Sequence, residues 1–296
     1  MTTIDIGVGL PTNVDGVTRT QLIRWARDAE DMGASSLCCT DRVMYPSLET
    51  MLTLAAVSSV TERVKLMTSV LVAPLRTSGG LFRKQIDTLD LLTERRLVLA
   101  VGVGRRQDDY AACAVDYTRR GTILDEQLSA DGPPVHSMPA GRPTALGDAL
   151  GSRLLFGGTG PATLRRIQRY GGGWVAAAGL GAWSAATAFA ADVRETWAAA
   201  GRSGTPRLVA MVYTSAGPNA RDEALRHMRS YYAFLGPQRA DELARHVITD
   251  PAQLSDTRDQ LADAGFHELL LLPTSADLSQ LDALGVALNQ LSTNHR

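Results

Sequence analysis

Short β-rich runs alternate with longer helical patterns along nearly the whole chain, and this alternation is the strongest constraint on its fold. The predicted strands are IDIGVGL (4–10), SLCCT (36–40), VKLMTSVLV (64–72), LVLAVGV (97–103), RLLFG (153–157), WVAAA (174–178), RLVAMVYTS (207–215) and ELLLLP (268–273). Strands that alternate with helices predict βα units around a parallel sheet. Eight such units close most naturally into a (β/α)8 TIM barrel, and a doubly wound open sheet is the alternative.

The length allows either one domain or two. At about 150 residues per domain, a chain of 296 residues could form two. TIM barrels of about 250 residues nevertheless fold as one domain, so we predict a single domain over residues 1–296. The alternation lapses at residues 130–152, which are rich in Gly and Pro. We predict an irregular insertion there, after the fourth strand, that could serve as a lid.

Charge and cysteine content exclude several classes of partner. The chain has 30 basic and 31 acidic residues, a net charge of −1, which argues against nucleic acid or an anionic membrane as the main partner. Its three cysteines match neither a disulfide framework nor a zinc-binding pattern. No apolar run approaches the roughly 18 residues that span a bilayer. We therefore expect a cytoplasmic protein that acts on a small molecule and holds no metal.

The active site of a TIM barrel lies at the carboxyl ends of its strands, so the residues that follow each strand are the candidates. After the fifth strand, Gly157, Gly158, Thr159 and Gly160 form a glycine-rich turn that opens a helix at Pro161. Backbone N–H groups at such a helix start, together with the helix dipole, can bind a phosphate. The alternative is a tight turn that simply needs residues with positive φ.

Asp41 and Arg42 follow the second predicted strand. A charged pair at this position can orient a ligand ring or donate a proton, which makes both residues candidate catalytic groups. The alternative is a structural ion pair that ties loops together.

The fourth predicted strand ends in LVLAVGVGRRQDDY (97–110), which begins like a dinucleotide-binding loop. Gly102 and Gly104 fill the first two glycine positions of G-x-G-x-x-G, but Gln107 stands at the third. Arg105 could hold a carboxylate or phosphate, because the guanidinium fork matches planar anions. The alternative is that the two arginines pair with the two aspartates that follow them.

Six segments together carry a resemblance to a known family. They are AEDMGASSLCCTDRV (29–43), YPSLETMLTLAAVSSVTERVKLMTSVLVAPLR (45–76), QIDTLDLLTERRLVLAVGVGRRQDDY (85–110), DYTRRGTILDEQL (116–128), LLFGGTGPATLRRIQRYGGGW (154–174) and AQLSDTRDQLADAGFHELLLLPT (252–274). In this order and spacing they resemble the bacterial luciferase-like superfamily of flavin- and coenzyme F420-dependent oxidoreductases. The resemblance implies a TIM barrel with the coenzyme ring at its mouth and a homodimer formed through barrel-side helices.

The resemblance also implies the coenzyme contacts. A non-prolyl cis peptide would fall at Ser69-Val70 and press on the back face of the ring, while the glycines of the fourth strand pass close under it. The loop at 157–160 matches the coenzyme phosphate loop, and Gly179 follows the next strand near it. Asp41 matches the first residue of the Asp-His pair in F420 enzymes, but Arg42 replaces the histidine.

Hydride transfer requires little from side chains beyond position, ring electronics and a dry pocket, which agrees with the absence of nucleophile and metal motifs. The resemblance therefore implies an F420H2-dependent reductase of a C=C or C=N bond in a small metabolite. The alternatives are an FMN-dependent monooxygenase and a flavin-binding protein without turnover. A TIM-barrel isomerase or aldolase is a further alternative, which would need a base at a strand end.

Overall fold

A closed parallel barrel forms the centre of the protein in a computed structural model that describes residues 4–129, 146–177 and 183–293. Its strands are β1 (Asp5–Gly9), β2 (Ser36–Cys39), β3 (Lys65–Thr68), β4 (Leu71–Val72), β5 (Leu97–Gly102), β6 (Leu154–Gly157), β7 (Gly173–Val175), β8 (Arg207–Thr214) and β9 (Glu268–Pro273). The strand order is β3-β2-β1-β9-β8-β7-β6-β5-β4, and pairing of β3 with β5 closes the ring. Strands β3 and β4 are two pieces of the third predicted strand and together occupy one position in the ring. The barrel therefore has eight strand positions, each of which is called a stave below. The predicted TIM barrel is confirmed, and the open sheet is wrong.

Helices surround the barrel. They are α1 (Arg19–Asp31), α2 (Thr50–Ser58), α3 (Gly79–Leu92), α4 (Gln107–Ala112), α5 (Arg120–Leu128), α6 (Leu146–Leu150), α7 (Pro161–Tyr170), α8 (Ser184–Ala199), α9 (Ala220–Tyr231), α10 (Pro237–Ala244), α11 (Pro251–Asp263) and α12 (Leu278–Thr293). Two of them, α9 and α10, stand between β8 and α11 and are additional to the simple repeat. Within the described ranges, no helix has the length and apolar character needed to cross a bilayer.

Alternating side chains divide the core into two layers. Val209, Met211 and Tyr213 of β8 belong to the cluster inside the barrel, and the residues between them face the helices. On β1 the interior position is a glycine: a Cβ on Gly7 would lie 2.5 Å from Leu270 Cδ2. The barrel centre is therefore a packed core rather than a channel.

The third stave is interrupted where the resemblance implied a bulge. The Ser69-Val70 peptide bond is cis, as expected, and it separates β3 from β4. The Val70 side chain fills the space beside two glycines: a Cβ on Gly102 would lie 3.0 Å from Val70 Cγ2, and a Cβ on Gly157 would lie 2.9 Å from Val70 Cγ1. The expectation that Gly102, in the fourth predicted strand, passes close under a coenzyme ring stays a prediction; in the structure the Val70 side chain occupies the space beside this glycine.

Gly104, like Gly102, stands where a valine side chain leaves no room for a Cβ atom. Its φ is 63°, and a Cβ there would lie 2.9 Å from Val72 Cγ1. The two glycines of β5 and its extension thus accommodate the two valines that follow the bulge.

The predicted irregular insertion differs at its end. Residues 130–145 lie outside the described residues, but Leu146–Leu150 form α6, and both of its end residues are buried in the core. Arg153 pairs with Asp90 and leads directly into β6, so this part lies at the amino-terminal end of the barrel. Residues 146–152 are therefore neither irregular nor placed to cover the mouth.

We expect Gly157→Ala to lower the free energy of unfolding by about 1–3 kcal/mol, because the new methyl group overpacks against Val70. Val70→Ala removes the atoms that it would meet, so the loss should shrink in the double variant. Chemical denaturation of the four proteins of this cycle measures the coupling.

Gly79→Ala serves as the control, since a Cβ there meets nothing within 4 Å. Additive effects of the substitutions at 157 and 70 would contradict the proposed packing.

Candidate active site

Helix α9 covers one part of the barrel mouth. It begins after the carboxyl end of β8 and ends beside the loop after β2, where the Tyr231 ring meets the Tyr45 ring edge-on at 5.0 Å. Tyr45 Oη and Ser230 Oγ are 2.9 Å apart. Ala224 and Met228 pack in the same cluster as the barrel interior. The strand ends between β8 and β2 are thus beneath a helix that sequence analysis placed only as part of a helical stretch.

The opposite part of the mouth is more open. Val70 and Gly157 are partly exposed, and Gly158 and Thr159 are exposed. The bulge therefore presents an apolar surface that is held from behind by the close contacts with β5 and β6. Next to this surface lies the glycine-rich loop.

Asp41 is held in a network of donors. Its carboxylate oxygens accept hydrogen bonds from both Nη atoms of Arg76, with N–O distances of 2.5 and 2.9 Å. They also accept hydrogen bonds from the backbone N–H of Val72 at 2.8 Å and from the Thr50 hydroxyl at 3.2 Å. Both carboxylate oxygens are occupied, and the side chain is buried. Asp41 therefore joins the loop after β2 to the segment after β4, and the geometry favours the structural alternative for this residue.

Arg42 pairs with a different carboxylate. Its Nε donates to Asp109 Oδ2 at 2.8 Å, and both side chains are buried. Asp109 also accepts the backbone N–H groups of Val43 and Met44. The guanidinium lies 5.4 Å from the centre of the Tyr231 ring. The residue thus braces the loop after β2 against α4 and the end of α9, and it does not pair with its neighbour Asp41.

The two arginines after β5, Arg105 and Arg106, differ in their ion pairing. Arg106 pairs with Asp108 and places its guanidinium 4.0 Å from the centre of the Phe234 ring. That hydrogen-bonded partner lowers the pKa of Asp108 to about 2. Arg105 is exposed and has no ion pair to the described residues. Only Arg105 therefore retains a cation available to an anionic ligand.

The glycine-rich loop at residues 157–160 has the conformation that is required both for a phosphate-binding loop and for a tight turn with positive φ. Gly158 and Gly160 have φ of 92° and 111°, and Pro161 opens α7. Trp174 Nε1 donates to the Gly158 carbonyl at 2.8 Å, which fixes the turn from below. The loop is exposed at a helix start, so it can accept an anion. Gly179 lies outside the described residues.

Six buried polar atoms at this end of the barrel lack hydrogen-bond partners among the described residues. They are Oγ1 of Thr12 and Nδ2 of Asn13 after β1, Oγ1 of Thr40 after β2, Oγ of Ser69 after β3, Oγ of Ser215 after β8, and Nε2 of His227 on α9. Buried polar atoms are nearly always paired, so unpaired ones at strand ends point to a ligand. Arg96 Nε and Gln127 Oε1 are also unpaired but belong to other parts of the molecule.

His227 was missed by sequence analysis, although a signal exists. Ala224, His227, Met228 and Tyr231 share the buried face of α9, so the histidine is the polar member of an apolar stripe. Burial lowers the pKa of His227 to about 4, because the charged imidazolium would lose its hydration. The imidazole is therefore neutral near pH 7.

The described residues hold no group of three or more His, Cys, Asp or Glu side chains that could bind a metal ion.

Comparison with known proteins gives a consistent result. A family model described as luciferase-like monooxygenase matches residues 1–271. An uncharacterized protein of Mycobacterium tuberculosis is 30% identical over 192 residues, which are 58% of this chain and 63% of that protein. The match thus takes in less than two thirds of the relative's length.

Solved structures share the fold over nearly the whole chain. An F420-dependent secondary alcohol dehydrogenase, in complex with an F420–acetone adduct, has a TM-score of 0.70 and 16% identity, covering 97% of this chain and 98% of that one. The F420-dependent tetrahydromethanopterin reductase of Methanopyrus kandleri has a TM-score of 0.69 and 16% identity, covering 96% and 97%. The oxygenating constituent of a Pseudomonas putida diketocamphane monooxygenase, in complex with FMN, has a TM-score of 0.65 and 16% identity, covering 97% of both chains.

We expect Asp41→Asn to lower the free energy of unfolding by about 1.5–3 kcal/mol, because it removes the buried carboxylate that binds both Nη atoms of Arg76 and leaves this half-buried guanidinium only the more exposed Glu49 as a charged partner. Denaturant unfolding measures the loss. Asp28→Asn is the control, since the Arg24–Asp28 pair is exposed and such pairs contribute at most about 1 kcal/mol. A loss at position 41 no larger than that at position 28 would refute the structural role.

A second prediction concerns pH. The folded-state pKa of His227 is about 4 and the unfolded value is about 6.5, so between these values only the unfolded chain takes up the proton. The contribution of His227 to stability should therefore be constant above about pH 6.5 and fall by about 3 kcal/mol as the pH is lowered toward 4. We expect His227→Phe to remove this fall when unfolding is measured across this range. An unchanged pH slope would show that the imidazole is not buried in its neutral form.

Proposed function

The chain belongs to the luciferase-like monooxygenase family, and from this membership we propose that it is an F420H2-dependent reductase of a C=C or C=N bond in a small molecule. The observation that carries the proposal is the mouth itself. The same mouth holds an apolar surface at Val70, an exposed glycine-rich helix start next to it, and buried polar atoms at the strand ends that lack partners.

These features fit a planar heterocycle with a phosphorylated tail. The ring of F420 or FMN has an apolar face, which suits the valine surface, and a polar edge, which suits unpaired donors such as Asn13 Nδ2. The tail phosphate suits the backbone amides at the start of α7. Val70, Asn13, Ser215 and the loop at 157–160 are therefore the groups that would hold the coenzyme.

The protein's own part in the reaction is positioning. The reduced coenzyme, when bound, supplies the hydride. The valine surface fixes the height of the ring, because Val70 cannot retreat into the backbones of Gly102 and Gly157. The Asp41–Arg76 and Arg42–Asp109 pairs hold the loops that frame the mouth, and Arg105 is free to meet an anionic part of the substrate or coenzyme tail.

An FMN-dependent monooxygenase is the second candidate, since a protein of the same fold is known in complex with FMN. The two coenzymes share the features that the mouth accommodates, so the site supports both. The segment after β5 resembles the F420 branch and ranks F420 first. An isomerase or aldolase is less well supported: Lys65 begins β3 and thus lies at the end of the barrel opposite the mouth.

A homodimer is proposed as well. Four leucines of α2 and α3 are more than half exposed: Leu52, Leu81, Leu91 and Leu92. An apolar surface of this kind is typical of an interaction face, and it lies on the barrel-side helices that the resemblance implied.

We expect the protein to bind F420 and, without oxygen, to oxidise reduced F420 in the presence of unsaturated ketones or cyclic imines. Gly158→Val should weaken coenzyme binding by about tenfold or more, since a branched residue strains the loop at φ 92° and loses hydrogen bonds to charged phosphate oxygens. Absorbance titration with F420 and with FMN measures the binding.

Gly33→Val is the matched control, because Gly33 has φ of 86° and lies between α1 and β2, at the other end of the barrel. Equal affinities for the two variants would remove the loop from the site. Turnover only with FMN and oxygen would support the monooxygenase instead.

A further inference from the structure

His227 is the polar residue on the face of α9 that covers the strand ends. The same buried face holds Ala220, Ala224, Met228 and Tyr231, and Ala224 and Met228 join the cluster inside the barrel. A histidine in such a stripe normally finds a partner for its ring nitrogens. Here Nε2 is buried and has none.

The ring is held in a defined place. It stacks on Tyr231 with an interplanar angle of 10° and a centroid distance of 5.7 Å, and it lies 5.7 Å from the Tyr213 ring. Tyr213 points into the barrel interior and places its hydroxyl 3.3 Å from that of Tyr232. Aromatic contacts thus fix the plane of the imidazole without satisfying its nitrogen.

The charge state of the site is neutral. Burial alone lowers the pKa of His227, and burial raises the pKa of Tyr213, Tyr231 and Tyr232. Arg42, whose guanidinium lies on the Tyr231 ring, is already paired with Asp109. A neutral imidazole among neutral phenols can exchange a hydrogen bond with a carbonyl or an amide-like N–H, and it has no reason to select an ion.

We propose that His227 is a ligand-contacting residue whose Nε2 hydrogen-bonds the pyrimidinedione edge of the coenzyme ring. The inference rests on the proposed function, but it does not depend on the choice of coenzyme, because F420 and FMN share this edge. Five other unpaired atoms, among them Asn13 Nδ2 and Ser215 Oγ, stand at the strand ends of the same mouth. Since Nε2 is enclosed by α9 and the strand ends, the helix must yield some of its contact as the ring edge enters.

The test compares His227→Phe, His227→Gln and wild type in titrations with F420, FMN and lumiflavin, which carries the ring without the phosphate. Phe preserves the aromatic contacts, whereas Gln preserves a hydrogen-bonding group. A ligand contact predicts that Gln binds the ring better than Phe, with Phe weaker than wild type by about tenfold. A role in packing alone predicts the reverse order, and His246→Phe, at an exposed histidine, should change nothing.

Thermal unfolding without ligand provides a second readout. His227→Phe removes an unpaired buried nitrogen, so it should unfold at a temperature equal to or above that of wild type while binding the ring more weakly. Equal ring affinities of wild type and both variants would overturn the inference and leave the proposed function standing. Failure of the wild type to bind F420 and FMN would overturn the proposed function, and the inference with it.

Discussion

The contact of Val70 with two glycine backbones is the constraint on which the mouth depends. Its side chain lies where Cβ atoms of Gly102 and Gly157 would otherwise stand, so three neighbouring staves fix its position at once. Because protein interiors are packed like organic crystals, this residue cannot sink further into the barrel. The surface that it presents is therefore rigid, which is what a site for a flat ring requires.

Buried ion pairs fix the loops around that surface. Asp41 reaches Arg76 and Arg42 reaches Asp109, so adjacent residues after β2 join different loops. Pairs that are removed from water contribute little net stability when complete, but losing one partner is costly. Their effect is thus to specify one arrangement of the rim, and in the structure both predicted catalytic side chains, Asp41 and Arg42, are engaged in these pairs.

Sequence reasoning identified the barrel because periodicity and turn residues are local properties that agree with the global fold. The same locality explains its errors. Asp41 was correctly placed at a strand end, but Arg76, its partner, is 35 positions away, and no local pattern encodes that pairing. Gly102 was expected to pass close under a ring and Gly157 to belong to a phosphate loop, yet both also lie against Val70, which only the closed barrel brings near. The position of α9 over the strand ends also depends on tertiary packing. The apolar stripe in its sequence indicates only that one face of the helix is buried.

The balance of forces at α9 explains how an unpaired histidine persists. Burial of an apolar side chain stabilises by about 1.5–3 kcal/mol, and Met228 and Tyr231 are both buried with the helix in place. An unpaired buried nitrogen costs about 1–3 kcal/mol, which is less than the burial of both side chains contributes, so the covered mouth remains favourable. A ligand that pairs with Nε2 removes that penalty only when it is bound, and its binding therefore shifts the helix toward an arrangement that admits it. The unpaired Nε2 of His227 thus slightly destabilises the arrangement in which α9 covers the mouth, and the same nitrogen stabilises the arrangement in which a ligand is bound.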